Sequence, residues 1–481
     1  RPGPPSKCGA LPQIFHISHY ATQNANKDKI SDKDDDDDDD DQYDVSYVFG
    51  GGNKADYVPA DTDTEQSTEV IIEGCDLTSI KEVYGGGYGA AVPGTDVLIR
   101  GTKIIDNVFG GGYGAGNHDD STASDYNPGA NVGFRTGGAT YTKEDGVTVL
   151  GDGKAVVQLM AGTVNHVYGG SNTKGDIRGG SDVTNVENDG GAGCCQNLSV
   201  EEIYGGGKSA DMYGGAEICL SCMPDDWIGA IYAGAERANV NNDVSLTLTS
   251  GKFEQVFGGN KSGGDIGGYV EVNIEENPDC LTPIIIGELY GGGNEAAYTY
   301  SNLDNYPTYP SPRVNVRAFT SIGTIYGGGK GDGATVKGNP MVNINVVEGG
   351  REYDGETKTL DGKKVTIHKR SGDSKMGAIG NVFGGGNAAP VEGNTYVNIA
   401  TEEFVQMNSV IAGETDVRGY YTRSGEVYTK VESDTEVIAN ATTVYYKPVL
   451  GADIRGNVYG GGNAANVTGK TNVVIGKKIE N

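Results

Sequence analysis

The sequence predicts an all-β protein, a right-handed parallel β-helix (β-solenoid) of about eleven coils with loop insertions. Three observations predict this fold class. A phrase made of an aliphatic residue, an aromatic residue and a glycine cluster recurs along the chain, its copies lie at short intervals, and segments of alternating β-branched residues follow several copies. Self-similarity at a nearly fixed period is the signature of a repeat architecture.

The phrase is complete in copies such as Val83-Tyr84-Gly85-Gly86-Gly87 and degenerate in three places, where Gly-Gly-Ser, Ala-Gly-Ala or Gly-Gly-Asn follows the aromatic residue. Its eleven aromatic residues are Phe49, Tyr84, Phe109, Tyr168, Tyr204, Tyr232, Phe257, Tyr290, Tyr326, Phe383 and Tyr459.

The spacing between copies separates the possible repeat folds. The shortest interval is 25 residues, from Tyr84 to Phe109 and again from Tyr232 to Phe257. Propeller blades need about 40 residues, so this interval excludes them. Segments such as Thr471-Asn-Val-Val-Ile475 alternate at period two, which is typical of strands. No helical stripe separates the strands, which argues against a βαβ fold.

The orientation of the aromatic residue is left open by the sequence. The residue before it is always Val, Ile or Leu and is predicted to be buried. Adjacent strand residues face opposite sides, so the aromatic residue points outward unless a bulge turns it inward. An inward ladder of rings would only hold the rod together, whereas an outward stripe would be a binding or self-association surface. The glycines are expected to supply positive φ and close approach between coils.

The composition predicts two regions. Residues 1–47 form an N-terminal extension or cap with an acidic run, and residues 48–481 form the solenoid, with insertions near 113–147, 295–313, 347–378 and 400–454. The chain begins at Arg1 without an initiator Met, which indicates either a trimmed, mature product or a truncated piece of a longer chain. It ends just after a strand, and an uncovered solenoid end is expected to associate readily.

The acidic run and one insertion supply further candidate binding residues. The run is expected to be a solvated loop, or else to capture Ca²⁺ loosely, with no cofactor required. The insertion near 295–313 interleaves tyrosine with proline, which suggests a stiff loop for sugar or protein contact or a packed surface loop. The candidate calcium ligands are Asp34, Asp36, Asp38, Asp40 and Asp44, and the loop tyrosines are Tyr298, Tyr300, Tyr306 and Tyr309.

Charge and cysteine content limit the partners. The 37 basic and 66 acidic residues give a net charge of −29, which repels nucleic acid and anionic membranes. No apolar run reaches the roughly 18 residues of a spanning helix. The adjacent pair Cys194-Cys195 followed by Cys219 and Cys222 allows a zinc site, but the adjacent spacing favours disulfides between coils.

The sequence shows no catalytic constellation. The five histidines have no metal-ligand spacing, and the glycine clusters precede no helix with Lys-Ser/Thr, so they are not phosphate loops. Asp176 and Asp265 each lie eight residues after a phrase aromatic, as paired carboxylates of a pectinolytic β-helix would, but two coils lie between them. We therefore predict that the protein is not an enzyme.

Two segments carry a resemblance to a known family. Asn381-Val-Phe-Gly-Gly-Gly-Asn-Ala-Ala389 and Asn457-Val-Tyr-Gly-Gly-Gly-Asn-Ala-Ala465 are similar to the phrases of glycine-rich β-helical surface proteins of gut Bacteroidota and related anaerobes. The resemblance covers about residues 47–476 and implies export and a surface, adhesive or fibre-forming role, with no catalytic residues to carry over.

These observations predict an extracellular, non-enzymatic structural protein at a bacterial cell surface, either the stalk of an adhesin or a self-assembling filament subunit. The alternative is a polysaccharide-binding or polysaccharide-cleaving β-helix module. The expected partners are further copies of the chain, with glycans as the alternative.

Overall fold

The computed structural model describes residues 43–60, 66–75, 78–124, 126–186, 197–300, 310–349, 351–371, 376–406, 420–424, 427–431 and 446–477. These residues form 31 strands, numbered β1 to β31 along the chain, and within the described ranges there is no α-helix.

The first large sheet, sheet A, stacks one parallel strand from each coil, and nearly every strand ends on a phrase aromatic. Its order is β1 (Val45–Phe49), β3 (Ser79–Tyr84), β5 (Ile104–Phe109), β7 (Gly162–Tyr168), β9 (Leu198–Tyr204), β11 (Trp227–Tyr232), β13 (Gly251–Phe257), β15 (Ile284–Tyr290), β18 (Ser321–Tyr326), β23 (Ala378–Phe383) and β29 (Asp453–Ile454), and β30 (Val458–Tyr459) also pairs with β23.

The second large sheet, sheet B, is also parallel and takes the alternate strands. Its order is β2 (Thr68–Glu73), β4 (Thr95–Gly101), β6 (Ala155–Leu159), β8 (Ser181–Asn185), β10 (Ala216–Leu220), β12 (Val244–Leu248), β14 (Val270–Glu275), β17 (Arg313–Phe319), β20 (Met341–Gly349), β24 (Thr395–Ile399) and β31 (Thr471–Ile475). Because the chain passes from one sheet to the other and returns one level further on, the predicted parallel β-helix of about eleven coils is confirmed.

A narrow third row of bridges joins the coils between the glycine corner and sheet B. It includes the parallel bridges from Val92 to Val132 and from Val132 to Ile177. Further along, β16 (Tyr298–Thr299) pairs with β19 (Val336–Lys337), and Val336 also bridges Val391. The row closes each coil with side chains of the main core cluster.

The core confirms the prediction for the aliphatic position of the phrase. Val83 lies in the main core cluster with Ile80, three residues earlier, and the same pair recurs as Val167 with Val164. In a regular strand, residues three apart point to opposite faces, yet both members of this pair point into the core. The strand is therefore irregular between them, and two consecutive residues, such as Asn165 and His166, face away from the core. The outer face of sheet A therefore receives two residues and a ring from each coil.

The glycines of the phrase are required by close approach between coils. A Cβ on Gly85 would lie 2.4 Å from the carbonyl oxygen of Gly110 in the next coil, and a Cβ on Gly87 would lie 2.5 Å from that of Gly52 in the previous one. Among the described residues, no glycine of the repeated phrase has a positive φ. The expectation of positive φ at these corners is wrong, and the expectation of close approach is confirmed.

The insertions add local structure outside the coils. Near 347–378 the hairpin of β21 (Glu356–Leu360) and β22 (Lys363–Ile367) folds back onto sheet A, with the side chains of Leu360 and Val365 at most 7 % exposed. Near 400–454 a four-stranded antiparallel sheet contains β25 (Phe404–Gln406), β26 (Tyr420–Ser424), β27 (Val427–Val431) and β28 (Tyr446–Pro448).

One domain boundary and the cysteines refine the sequence expectations. The first solenoid strand begins at Val45, inside the segment 1–47 assigned to the extension. A disulfide joins Cys222 to Cys280, and Cys219 is also disulfide-bonded, so these thiols are not zinc ligands. Cys75 is buried and packs against Ala161.

Candidate functional site

The phrase aromatics form one continuous ladder along sheet A. In all ten contacts between successive rings the centroids are 4.7–5.1 Å apart and the ring planes deviate by 4–11°. The spacing is that of stacked strands, because each ring leaves its strand at the same position. Aromatic pairs of this kind contribute beyond the area they bury.

The ladder lies outside the aliphatic core and is nevertheless buried. Its rings form a cluster separate from the main core cluster, so they occupy the opposite face of sheet A, as strand parity predicts. Eight rings are at most 5 % exposed: Tyr84, Phe109, Tyr168, Tyr204, Tyr232, Phe257, Tyr290 and Tyr326. These eight rings lie on the outer face of sheet A, but other side chains cover them. They therefore do not form the exposed binding stripe that was one of the two predicted alternatives, because a ligand cannot reach a covered ring.

Only the ends of the ladder are open. Phe49 and Phe383 are half-buried, and Tyr459 in the last described coil is 46 % exposed. The binding hypothesis for the phrase aromatics therefore narrows to these three residues.

A row of side chains that the sequence reasoning missed covers the ladder. In most coils after the first, the residue four places after the ring reaches back to an earlier ring, usually the ring two coils before. Asn172 donates a 2.7 Å hydrogen bond from Nδ2 to the hydroxyl of Tyr84, and Asn387 donates one of 3.2 Å to that of Tyr290. We call this position the lid row. The sequence contained the signal for this row, because a polar or aromatic residue stands four places after every phrase aromatic. Its members are Asn53, Tyr88, Tyr113, Asn172, Lys208, Glu236, Lys261, Asn294, Lys330, Asn387 and Asn463.

Charged members of the lid row also contact the rings. Lys261 lies 5.6 Å from the ring centroid of Tyr204 and donates hydrogen bonds of 2.7 Å to Glu202. The hydroxyl of Tyr168 donates a 2.6 Å hydrogen bond to Glu236. A cation over a ring face is attracted by the ring quadrupole, and its partial desolvation strengthens that attraction.

Burial controls the titration of the ladder hydroxyls. Burial, and then the nearby Glu82 carboxylate, raise the pKa of Tyr84 well above its ordinary value. Burial also raises the pKa of Tyr204, with the hydrogen bond to Glu202 as the next cause. Such hydroxyls remain protonated donors, because both causes disfavour the phenolate. The ladder is therefore neither a source nor an acceptor of protons near neutral pH.

The lid row is aromatic in two adjacent coils, and there rings reach the surface. Tyr88 and Tyr113 are half-buried with centroids 5.2 Å apart. Tyr47, which is 44 % exposed, lies 6.0 Å from Tyr113. We call Tyr47, Tyr88 and Tyr113 the tyrosine patch. Its hydroxyl-bearing rings combine apolar faces with polar edges.

The two loop tyrosines that the structure describes do not contribute to the predicted surface. Tyr298 and Tyr300 are at most 2 % exposed and belong to the main core cluster. The hydroxyl of Tyr298 donates to the carbonyl of Gly268 at 2.9 Å. This is a correction, and its cause is that Tyr298 begins β16 in the third row of bridges. Tyr306 and Tyr309 lie outside the described residues.

Of the candidate calcium ligands, one lies within the described residues and four lie outside them. Asp44 accepts hydrogen bonds from the backbone N–H and hydroxyl of Ser79 at 3.1 and 2.8 Å, so its carboxylate links the first coil to the next. Asp34, Asp36, Asp38 and Asp40 lie outside the described residues. Within the described ranges no group of three or more His, Cys, Asp and Glu side chains is arranged to hold a metal ion.

The two aspartates considered as a catalytic pair both accept hydrogen bonds from backbone N–H groups. Asp176 accepts a 2.6 Å hydrogen bond from the N–H of Tyr213, and Asp265 accepts one of 3.0 Å from that of Thr299. Each of these bonds ties a coil to a later one. The two carboxylates do not form a pair, because β9 and β11 lie between β7, which precedes Asp176, and β13, which precedes Asp265.

Comparison with family models, with curated proteins and with solved structures finds no match for this chain. In the part of the chain that the structure describes, no helix is long and apolar enough to cross a membrane.

Proposed function

We propose that this protein is an extracellular, non-enzymatic structural protein of a bacterial cell surface, whose solenoid acts as a rigid rod in an adhesin stalk or a filament. The observation that carries the proposal is the ladder, in which the same ring contact occurs ten times at 4.7–5.1 Å without interruption. A repeat protein is stabilised mainly by contacts between neighbouring units. Uniform contacts therefore favour a stiff rod, about 50 Å long at the usual strand spacing.

The disulfide supports export. Stable disulfides form in oxidising compartments, and Cys222 is joined to Cys280. The net charge of −29 favours solubility at high local concentration and allows Ca²⁺ to associate weakly with the carboxylates.

The shape of the purified chain tests this proposal. We expect small-angle scattering and negative-stain electron microscopy to show a straight particle of one coil's width, with no hinge between its halves. A compact globule, or two bodies joined flexibly, would overturn the rod. An assay against acidic polysaccharides is expected to yield no cleavage product, and a product would overturn the non-enzymatic assignment.

The tyrosine patch favours glycan binding as a second candidate function. Its rings lie 5.2 and 6.0 Å apart on the surface of the first coils and offer apolar faces for stacking with sugar rings. Replacing Tyr88 and Tyr113 by Asn, the residue that the chain itself uses elsewhere in the lid row, should abolish any binding on a glycan array. Tyr213→Ser is the control, because this side chain is 58 % exposed and does not belong to the patch. Equal binding by both variants would exclude the patch.

A further inference from the structure

The β21–β22 hairpin concentrates positive charge on a strongly acidic chain. Residues 357–370 contain five lysine and arginine residues and one acidic residue, whereas the whole chain has a net charge of −29. The one acidic residue, Asp361, is paired with Lys330. Lys363 and Lys364 are exposed, and among the described residues they form no ion pair. A local field opposite in sign to that of the whole chain favours an anionic partner at this place.

The hairpin holds these charges in a fixed position. Asp361 and Gly362 have φ values of +47° and +72°, which are typical of the two-residue turn that matches the twist of paired strands. On the side of the hairpin that faces sheet A, Leu360 and Val365 are buried. A surface that is already ordered loses less conformational entropy when a partner binds.

One edge of the hairpin is unpaired. In the part of the chain that the structure describes, β22 pairs with β21 alone. Leu360 and Lys363 flank the turn as a hydrogen-bonded pair, and such pairs alternate along an antiparallel ladder, so the N–H groups of Lys364 and Thr366 point away from β21. An edge of this kind offers backbone donors to an incoming segment.

The floor beside this edge carries no carboxylate. β22 lies over β18 and borders β23, where a Cβ on Gly380 would lie 3.4 Å from Nε2 of His368. β23 reads Ala-Ile-Gly-Asn-Val-Phe and contains no acidic residue. On the other side, Lys358 of β21 contacts Glu254 of β13, and Glu201 follows two strands further on. An anionic segment is therefore accommodated beside β22 and repelled beside β21.

The chain itself contains a segment of complementary charge. Asp34 to Asp41 are eight consecutive aspartates. Nine strand steps of sheet A separate β1 from β23, which is about 43 Å at the usual strand spacing. Asp41 stands four residues before Val45, the first residue of β1, and four residues span at most about 14 Å. Even the eleven residues back to Asp34 span at most about 40 Å, so the run cannot lie beside β22 of its own chain.

We propose that the free edge of β22 binds the aspartate run, residues 34–41, of a second copy of this chain. The carboxylates accept hydrogen bonds from the ammonium groups of Lys363 and Lys364 and from the free N–H groups of β22. Charge-assisted hydrogen bonds of this kind are stronger than those between neutral groups. This inference rests on the proposed rod and identifies its partner. Two antiparallel copies that exchange runs close a pair, whereas copies that all run in one direction continue into an open assembly.

The test uses the full chain at about 0.15 M ionic strength, where screening beyond about 8 Å weakens the general repulsion between acidic chains. The hairpin variant combines Lys363→Glu with Lys364→Glu. Its matched control combines Lys103→Glu with Lys174→Glu, because both lysines are exposed outside the hairpin and the net charge changes equally. The run variant replaces residues 34–41 by serine. Melting temperature and circular dichroism establish that each variant folds.

We expect sedimentation to show self-association of the unsubstituted chain and of the control. The hairpin variant and the run variant should each need at least about tenfold more protein to associate. An equimolar mixture of these two variants should associate again, because each supplies the part that the other lacks. A fluorescent octa-aspartate peptide should bind the run variant at least about tenfold more tightly than the hairpin variant.

Several results would overturn this contact: normal association by either variant, a mixture that stays monomeric, or a control that loses as much as the hairpin variant. Peptide binding by a chain that never self-associates would overturn the second copy as the source of the acidic segment. Scattering of the same samples separates this inference from the proposed function, since monomeric rods remove the contact alone and compact particles remove both.

Discussion

The two halves of sheet A share one backbone and one ladder, yet their outer faces differ. The residue three places before the ring is charged or polar in the first half, as Asp106, Asn165 and Glu201 are, and is glycine in β15, β18 and β23. On that glycine floor lies the β21–β22 hairpin: a Cβ on Gly287 would be 2.8 Å from Leu360, and one on Gly323 would be 2.7 Å from Val365. In β15 and β18 this outward glycine therefore leaves room for the hairpin, whereas the corresponding glycine of β11, Gly229, has no hairpin atom within 4 Å of a Cβ.

The open half uses its outward side chains to connect coils. His166 lies 3.9 Å from the carboxylate of Asp106 in the coil before it and 3.7 Å from that of Glu202 in the coil after it. The covered half holds the hairpin with ion pairs at its rim, where Lys358 contacts Glu254 and Lys330 contacts Asp361. The outward polar side chains thus contact neighbouring coils in one half, and ion pairs attach an insertion in the other.

The largest expected effect comes from breaking the ladder where the halves meet. Phe257 is fully buried between Tyr232 and Tyr290, with both centroid distances at 4.8 Å. Phe257→Ala should lower the free energy of unfolding by about 3–5 kcal/mol, because it leaves a cavity and removes both ring contacts. Tyr459→Ala, at the exposed end of the ladder, should cost less than about 1 kcal/mol.

Urea denaturation measures both free energies, and hydrogen exchange localises the change. We expect faster exchange in the strands on both sides of Phe257. Equal losses in Phe257→Ala and Tyr459→Ala would show that the ladder does not connect the two halves.

A smaller effect should follow from adding a side chain to the glycine floor. Gly323→Val would place its Cβ 2.5 Å from the carbonyl oxygen of Gly287 and 2.7 Å from Val365. Overpacking of this kind costs about 1–3 kcal/mol and should displace the hairpin, which limited proteolysis would detect as new cleavage. Glu201→Val changes the same position in the open half, where nothing covers it, and should stay within about 0.5 kcal/mol. If both variants lost a similar free energy of unfolding, glycine at this position would not be needed to seat the hairpin.

The sequence allowed the local part of this architecture to be predicted. The aliphatic residue before each ring had to be buried, and Val83 and Val167 are fully buried. The lid row was equally readable, because Asn387 and Asn463 stand at the same distance after their rings, although its contacts span two coils. Periodicity along the chain determines these positions, since every coil repeats them.

The contacts between the floor and its insertion were not predictable in this way. The pairing of Gly287 with Leu360 joins residues far apart in sequence, and nothing in either segment specifies the other. The surface position predicted for Tyr298 and Tyr300 in the second insertion was wrong for a related reason, namely a contact between segments far apart in sequence. Tyr298 pairs with Val336 in the third row, so a segment with the composition of a surface loop belongs to the wall of a coil.

The two halves should also differ in their response to pH. Burial, and then the negative charge of Glu69, raise the pKa of Asp96 from 3.8 to about 6, against a hydrogen bond from Gln158. The folded state therefore holds this proton more tightly than the unfolded state, and stability falls as pH rises from about 4 to about 6. In the second half the same row of sheet B carries Glu271, which pairs in register with the cationic Arg313, and then the uncharged Met341.

Asp96→Asn keeps the hydrogen-bonding shape and removes the titration. It should flatten the stability profile between pH 4 and 6 and stabilise the chain near neutral pH, with the change confined to the first half in hydrogen exchange on β4. An unchanged slope in the variant would show that other groups cause the pH dependence.

The smallest expected effect concerns the attachment of the hairpin. The ammonium of Lys358 lies 3.7 Å from the ring centroid of Trp227 and 3.1 Å from the carboxylate of Glu254. Lys358→Gln should reduce the free energy of local hairpin opening by about 0.5–1 kcal/mol, because the cation over the ring is lost. Global unfolding should barely change, since the floor and the coils remain intact. Exchange rates of the β21 and β22 amides measure the opening, and Lys369→Gln is the control, because Lys369 is 65 % exposed in the same insertion. If both variants open the hairpin equally, its position depends on the glycine floor alone and not on the charges at its rim.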